Sequence, residues 1–333
     1  MMALLSSGPL SWAKAAKKRW PKAAAPQSPR ISHVIEQLGR TRDDVYSWMK
    51  FLPEGGERTR TNIPKAVATM LNGENAYADA ILKPLAAERA ILLDAMLART
   101  AGEMAAPAIE RDGWAYASEI PAGAVHAIYN RRKMGGEAEL LVDEAARAKG
   151  QPYFRSTGHQ PSPDHRWFAW AEDVSGNDRH RIVIRDNQSG TIRTLVDKDA
   201  YGYGGLVFGP SSEWLFWIWR DARNRPTRLY RTSVDGKTTE LVYEEKDPAI
   251  FMGVRRTAGD GFVALTLSGP ETAEVQLVRA GAETAPPETV WPRRPGVRYE
   301  IDEWNGDLIA TTDADDAFDM KLLRLDAKSF AVK

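Results

Sequence analysis

A hydrophobic segment recurs along this chain of 333 residues at a nearly fixed interval, and the repeat constrains the fold more than any single residue does. The segments begin at Trp114, Trp167, Trp214, Phe262 and Leu308, with separations of 53, 47, 48 and 46 residues. A turn precedes most of them, and a second strand-like run follows each. Repeats of roughly 40 to 50 residues with about four strands each are typical of β-propeller blades. A two-layer sandwich would also explain the strands and turns, but not the fixed interval.

The composition excludes several classes of function. Lys plus Arg and Asp plus Glu both number 45, so no global field favours nucleic acid. The chain contains no Cys, which excludes disulfides, thiolate metal sites and a cysteine nucleophile. No apolar run approaches the roughly 18 residues that a membrane span requires. We therefore expect no nucleic-acid partner and no membrane span.

The sequence divides into three parts. Residues 1–30 carry six cations and no acid, and we interpret them as a disordered or weakly helical basic extension, the alternative being a membrane-surface or targeting segment. Residues 31–110 are predicted to form a helical arm, because apolar side chains recur at helical spacing. In this arm Asn62 suits a helix cap with Pro64 in the first turn, and Pro84 predicts a break or kink. Residues 111–333 carry the repeats and are predicted to form the propeller.

The repeat also predicts which side chains are buried. The anchors Trp167, Trp214 and Phe262 are expected to lie largely buried between blades. The last unit, residues 299–325, lacks a following repeat. We therefore expect its face toward that missing neighbour to be exposed, including Ile301, Leu308 and Leu322.

Four short motifs resemble the prolyl oligopeptidase family. In chain order they are residues 40–49, residues 73–77, residues 162–164 with 169–173 and 176–178, and residues 243–248 with Phe251. The first contains an acid, Tyr46 and Trp48 ahead of an aliphatic residue, and the last is similar to the oligopeptidase B branch in particular. The sequence departs from the pattern at Met49, where Leu is usual, and in residues 51–60, which are rich in Gly and charge.

The resemblance implies a cytosolic serine peptidase of two domains. In that family a seven-bladed propeller covers an α/β-hydrolase catalytic domain, and the helical arm packs on the catalytic domain. The oligopeptidase B branch cleaves short peptides after Lys or Arg, and the propeller excludes folded proteins. About five repeat units are visible here, so we expect an incomplete, mainly β propeller of about five of the seven blades, preceded by the helical arm. The α/β-hydrolase domain is expected to be absent.

A search for catalytic residues agrees with that expectation. No Gly-x-Ser-x-Gly occurs, and Ser175 and Ser189, each followed by Gly, lack the upstream glycine and fall in predicted turns. The histidines lack the paired spacing of a metal site; they are His33, His126, His159, His165 and His180. We interpret His165, in the turn beside Asp164, as a solvent-facing residue rather than a general base. We predict no catalytic, cofactor-binding or metal-ligating residue in this chain.

Three other groups of residues deserve a specific interpretation. An acidic run lacks the Gly and Glu of an EF-hand loop, since Phe318 and Arg324 stand at those positions, and is interpreted as a solvated turn. It comprises Asp313, Asp315, Asp316 and Asp319. A second acidic group could attract a cationic peptide, but we interpret it as a connection between blades; it comprises Glu244, Glu245 and Asp247. For the group Asp44, Tyr46 and Trp48 the resemblance implies a structural role, with Trp48 as a buried anchor on the catalytic domain.

Three functional hypotheses remain. The first is the non-catalytic N-terminal portion of an oligopeptidase B-like serine peptidase, inactive alone, from a truncated reading frame or a split gene. Its partner would be the catalytic α/β-hydrolase domain, in cis or as a separate polypeptide, and short basic peptides would be the substrates of the full-length family. The second is a stand-alone propeller that acts as a binding or scaffold module. The third is a propeller enzyme with its own pore site, which would need converging His and carboxylates at the blade starts.

Overall fold

The computed structural model describes residues 21–51, 63–100 and 102–333, and the chain divides into two compact units with a boundary between residues 101 and 102. In the first unit, β1 (Val34–Gln37) and β2 (Arg40–Asp43) form a hairpin. Two short 3-10 turns, Ser47–Met49 and Lys83–Leu85, and two helices, α1 (Lys65–Leu82) and α2 (Ala86–Leu97), complete it.

The predicted helices occupy residues 65–97 only. Residues 34–43 form the hairpin instead, because Gly39 follows Leu38 in a tight turn at positive φ. Pro64 lies at the N-cap of α1 and not in its first turn, while Asn62 lies outside the described residues. Pro84 interrupts the helical segment as predicted, since proline has no N–H to donate and its ring clashes with the preceding turn. The predicted extension at residues 1–30 is described only from residue 21, without regular secondary structure.

The second unit is built from antiparallel blades, each a meander of consecutive strands. Blade 1 comprises β3 (Met104–Ala105), β4 (Ile109–Arg111), β5 (Trp114–Ile120), β6 (Ile128–Lys133) and β7 (Glu139–Asp143), followed by the short helix α3 (Glu144–Ala148). Blade 2 comprises β8 (Arg155–Pro161), β9 (Trp167–Asp173), β10 (His180–Asp186) and β11 (Ile192–Ala200). Blade 3 comprises β12 (Leu206–Phe208), β13 (Trp214–Arg220), β14 (Pro226–Ser233) and β15 (Thr239–Glu244). Blade 4 comprises β16 (Phe251–Arg256), β17 (Phe262–Ser268), β18 (Ala273–Arg279) and β19 (Glu288–Thr289). Blade 5 comprises β20 (Tyr299–Trp304), β21 (Asp307–Thr312) and β22 (Lys321–Leu325).

The predicted β-propeller class is confirmed, and the repeat places the strands correctly. Four of the five anchors are the first residue of their strand, and Leu308 is the second residue of β21. Strand pairing begins at Met104, ahead of the predicted boundary at residue 111, because β3 and β4 both pair with β5. Adjacent blades contact each other through their first strands, β8 with β12 and β12 with β16, so these strands lie where the blades converge.

The cores lie between blades rather than within them. Alternate residues of β9 face opposite neighbours: Phe168 and Trp170 pack with Leu141 of blade 1, whereas Ala169 and Ala171 join the core shared with blade 3. The same alternation runs through β13 and β17. Each fully buried large side chain contributes about 1.5–3 kcal/mol, so each blade depends on both of its neighbours.

The anchors are less uniformly buried than the repeat predicts. Phe262 is buried, but Trp167 and Trp214 are only half-buried. A guanidinium lies over each of these two rings, that of Arg166 at 4.8 Å from the Trp167 centroid and that of Arg231 at 5.7 Å from the Trp214 centroid. The indole rings therefore stabilise the blades partly through cation–π contacts, which tolerate water at the ring edge.

In blade 5 the predicted exposure is correct for one residue and wrong for two. Ile301 and Leu308 are 1% and 0% exposed, because they face blade 4 and pack with Phe262 and Leu277. Leu322 is 72% exposed. Leu322 lies on the opposite face of the blade together with Trp304, which is also exposed. Blade 5 therefore has an exposed face, but Trp304 and Leu322 form it rather than Ile301 and Leu308.

A repeated arginine joins successive blades. Arg131, Arg231 and Arg279 each stand 17 residues after their anchors, Trp114, Trp214 and Phe262, with the guanidinium over the anchor ring. Each forms an ion pair with a glutamate on the next strand of its own blade, namely Glu139, Glu240 and Glu288, at 2.8, 2.6 and 2.6 Å. Each also donates to backbone carbonyls of the following blade, namely those of His165, of Thr284 and of Ala327. We call these three residues the staple arginines.

Removing a staple arginine should destabilise the chain far more than removing an exposed arginine of the same strand. In Arg231→Met, carbonyls of blade 4 lose a charged donor that is only 10% exposed, so the free energy of unfolding should fall by about 2–4 kcal/mol. Arg228, also on β14, is 37% exposed and pairs with the exposed Glu244, so Arg228→Met should cost less than about 1 kcal/mol. Urea unfolding followed by Trp fluorescence measures both, and equal losses would contradict the role of the staple.

An aromatic stack fills the interface between blades 1 and 2. The rings of Tyr129 and His159 stack at a centroid distance of 3.8 Å, and Phe168 lies beside His159 at 6.2 Å. Burial lowers the pKa of His159 from 6.5 to about 4, against the smaller opposing influence of the Glu172 carboxylate. The imidazole is therefore neutral in the folded chain at neutral pH.

This burial makes stability depend on pH in a defined window. Between pH 6.5 and about 4 the unfolded chain binds a proton at residue 159 that the folded chain does not, so stability falls as the pH is lowered through this range. Between pH 7.5 and 5 the wild type should lose roughly 2 kcal/mol more than His159→Phe, which keeps a stacking ring but cannot titrate. Denaturant titrations at the two pH values test this, and parallel losses would show that His159 is solvated.

Candidate functional site

Charged side chains of blades 1 and 4 meet near the turns that precede β5 and β17. Asp260, in the turn between β16 and β17, forms ion pairs with Arg256 of its own blade and with Arg111 of blade 1. Burial, followed by the nearby Arg111 cation, lowers the pKa of Arg256. Blade 1 is thereby tied to blade 4 although the two are separated by two other blades in the sequence. The cluster links blades and presents no nucleophile.

A serine, a histidine and a carboxylate meet beside β8. The Ser156 hydroxyl is 2.9 Å from His159 Nε2 and also donates to Glu144 Oε1, while Glu144 Oε2 accepts from the backbone N–H of Ala127 at 2.9 Å. Because the single hydroxyl proton goes to the carboxylate, the imidazole N–H must donate to the serine oxygen. A hydroxyl that accepts from histidine is not activated as a nucleophile. The group joins blades 1 and 2 structurally.

The structure corrects the interpretation of His165. Its side chain is buried rather than solvent-facing, stacked between Trp114 and Tyr116, and Nδ1 lies 2.9 Å from the Tyr116 hydroxyl. Its backbone carbonyl accepts from the staple arginine Arg131, and its φ of 58° lies in the left-handed region. Burial lowers the pKa of His165, so it too is neutral at neutral pH.

The remaining histidines and the two predicted turn serines do not converge. His33 and His126 lie in different units, whereas His180 is fully buried in blade 2 and its Nδ1 is 3.0 Å from the carbonyl of Asp178. Ser175 bonds within the turn between β9 and β10, and Ser189 donates to Thr191 at 2.9 Å in the next turn. Among the residues described, no group of three or more His, Asp or Glu could hold a metal ion.

The two acidic groups that the sequence singled out, residues 313–319 and 244–247, form ion pairs with different partners. In the first, Asp313 pairs with Arg298 at 2.8 Å and Asp315 with Lys321 at 2.9 Å. The flanking Asp316 adopts a positive φ, as turn residues do. The run therefore shapes a turn, as interpreted from the sequence.

The second acidic group lies at the connection between blades 3 and 4. Burial alone would raise the pKa of Glu245, but the Arg293 guanidinium at 2.7 Å and the Asp247 backbone N–H hold it below its usual range. Glu244 pairs with Arg228, and Asp247 accepts from the N–H of Ala249. These carboxylates are satisfied within the propeller, which agrees with their interpretation as a connection between blades.

The group Asp44, Tyr46 and Trp48 stabilises a local turn. Asp44 pairs with Lys50 at 2.8 Å, and the Trp48 indole N–H donates to the Pro29 carbonyl at 2.9 Å. Trp48 is half-buried and Tyr46 exposed within this unit. Five apolar side chains of α2 are exposed as well; they are Ile91, Leu92, Leu93, Met96 and Leu97. Exposed apolar surface of this extent is typical of a face that another polypeptide segment covers.

Sequence reasoning missed the staple arginines and the Ser156–His159–Glu144 group. The first had a detectable signal, since arginine recurs 17 residues after three anchors. The second had none, because strand pairing and α3 decide which side chains meet between blades. None of the helices in the described part of the chain is long and apolar enough to cross a bilayer.

Comparisons with known proteins agree with this architecture. The family model described as "Prolyl oligopeptidase, N-terminal beta-propeller domain" matches residues 26–333. "Protease 2" of Moraxella lacunata is 26% identical over 309 residues, covering 90% of this chain and 43% of that protein. "Dipeptidyl aminopeptidase BI" of Pseudoxanthomonas mexicana is 26% identical over 342 residues, covering 96% and 45%. The chain thus spans less than half the length of these relatives.

Solved structures show the same fold. Oligopeptidase B from Leishmania major superposes with a TM-score of 0.79 at 23% identity, covering 91% of this chain and 44% of that one. Oligopeptidase B from Trypanosoma brucei, in a closed form with covalently bound antipain, gives a TM-score of 0.75 at 20% identity, covering 92% and 46%. With the family model matched over nearly the whole length, the chain belongs to the prolyl oligopeptidase family, in which it corresponds to the N-terminal β-propeller domain.

Proposed function

We propose that this chain is the non-catalytic propeller portion of an oligopeptidase B-like serine peptidase. In this role it would cover an α/β-hydrolase domain, in cis or as a separate polypeptide, and admit short peptides while excluding folded proteins. The observation that carries the proposal is the match of residues 26–333 to the N-terminal propeller of the family, in a chain that spans under half the length of its relatives.

Two features of the chain support a non-catalytic role. In the Ser156–His159–Glu144 group, the Ser156 hydroxyl donates its hydrogen bond to Glu144 and not to His159, so the imidazole is not placed to act as a base on Ser156. The sequence also lacks the Gly-x-Ser-x-Gly turn that exposes the nucleophile in α/β-hydrolases.

The exposed apolar side chains of α2 support the proposed partner. A helix of this length that leaves both its faces in water gains little from its own hydrogen bonds. Covering Ile91, Leu92 and Met96 with a catalytic domain would supply the missing burial.

The substrates and the location are proposed from the relatives. Oligopeptidase B structures are among the proteins of like fold, which favours peptides with Lys or Arg before the scissile bond as substrates of the assembled enzyme. A cytoplasmic location is compatible with a chain that contains no cysteine.

The purified chain should not hydrolyse peptides. Without an activated nucleophile and an oxyanion hole, nothing stabilises a tetrahedral intermediate. A fluorogenic Arg-Arg peptide at pH 8, with and without a serine-reactive inhibitor, measures this. Inhibitor-sensitive turnover that persists through repurification would overturn the proposal, and loss of that turnover in Ser156→Ala would locate it at the Ser156–His159–Glu144 group.

Binding to a catalytic domain should depend on α2. An oligopeptidase B α/β-hydrolase domain, supplied as a separate polypeptide, should co-elute with the chain in size-exclusion chromatography with light scattering. Ile91→Asp should weaken the complex at least about tenfold, because it places a charge in the covered apolar face. Arg89→Ala, an exposed polar change on the same helix, serves as the matched control.

If the chain is monodisperse and does not co-elute with the hydrolase domain, the stand-alone binding module is favoured instead. A complex that forms equally well with Ile91→Asp and with Arg89→Ala would place the contact elsewhere than on α2.

A further inference from the structure

A cleft opens between the outer strands of blades 1 and 2. It encloses a cavity of about 600 Å³, within the range of small-molecule sites. Apolar side chains of β7 and Ile192 of β11 form one part of its lining, and three arginines form another: Arg147 of α3 and Arg181 and Arg185 of β10. Ser156, His159 and Glu144 are not part of its lining.

The alternation of β10 explains why the cleft is cationic. Val183 packs against Leu141 and Val142 of blade 1, and its neighbours on the same face of the strand, at positions 181 and 185, are both arginine. Apolar contact therefore closes the middle of the interface. On either side of it, the two arginine side chains line the cleft.

The side chains that line the cleft carry more positive than negative charge. The fully buried Glu172 accepts from both Arg147 and Arg181, the latter pair at 2.7 Å, so one carboxylate serves two cations. Asp143 caps α3 by accepting from the N–H of Ala146 at 3.0 Å. In the lining itself, Arg147, Arg181 and Arg185 stand beside one carboxylate, that of Asp143.

Arg185 is the arginine of the cleft for which no ion pair occurs among the described residues. Its Nη1 donates to the carbonyl of Gly190 at 3.1 Å, whereas its Nε is buried without a hydrogen-bond partner. Burial, and then the proximity of Arg131, lower the pKa of this guanidinium, against the smaller opposing influence of the Glu139 and Asp186 carboxylates. A buried donor without a partner is costly, and an anion that reaches it would recover that cost.

We propose that this cleft binds a small organic carboxylate with an apolar body. The planar fork of Arg185 matches the two oxygens of a carboxylate, and Leu140, Leu141 and Ile192 provide a surface for the hydrocarbon portion. Strongly hydrated anions such as phosphate suit the site less, because they would leave the apolar wall unused.

Calorimetry with 3-phenylpropionate tests the proposal on the full chain. The carboxylate should bind saturably with one molecule per chain, and its neutral analogue 3-phenylpropanamide should not. Arg185→Gln should weaken binding at least about tenfold by removing the charged donor. Arg155→Gln, at an exposed arginine of the same blade outside the cleft, is the control and should bind as the wild type does.

Leu140→Asp provides an independent test, since Leu140 is an exposed residue on the cleft wall whose replacement spares the core. An added carboxylate there should abolish binding of 3-phenylpropionate. The proposal is wrong if the amide binds as well as the acid, if inorganic phosphate competes as well as the acid does, or if Arg155→Gln and Leu140→Asp bind the acid equally well.

Discussion

The structure depends on the contact between one blade and the next. A single blade exposes two apolar faces, and β9 shows the result: Phe168 faces one neighbour and Ala169 the other. No blade can therefore complete its own core. Apolar stacking alone does not define the angle between two blades. The staple arginines define it, because each guanidinium donates to particular carbonyls of the following blade.

Much of the fold could be predicted because hydrophobic periodicity is a local property. The spacing of the anchors locates β5, β9, β13 and β17 to the residue, and Pro84 marks the break between the helices. Predicting burial was harder. Ile301 and Leu308 have the pattern of a strand with a buried face, but the pattern does not say which neighbour covers that face. His165 lies in a turn by sequence, yet Trp114 and Tyr116 of blade 1 bury it.

The candidate sites were less accessible to sequence reasoning for a related reason. Ser156 and Glu144 are 12 residues apart and meet only because α3 turns the chain back toward β8. The cationic cleft forms only where α3, β7 and β10 come together. From the sequence alone, each of its arginines would be interpreted as a solvated surface charge. Only the neighbours in space show that Glu172 pairs with two arginines while the buried Nε of Arg185 has no hydrogen-bond partner.

The staple arginines also make the docking of each blade depend on the order of synthesis. Each donates to carbonyls that lie later in the chain, 34 residues after Arg131, 53 after Arg231 and 48 after Arg279. On a ribosome, a blade that has emerged completely has the glutamate partner of its staple arginine but lacks the carbonyl acceptors until part of the next blade has been synthesised. Native docking therefore lags behind elongation by about one repeat. During that interval the newest blade is the one exposed to chaperones and proteases.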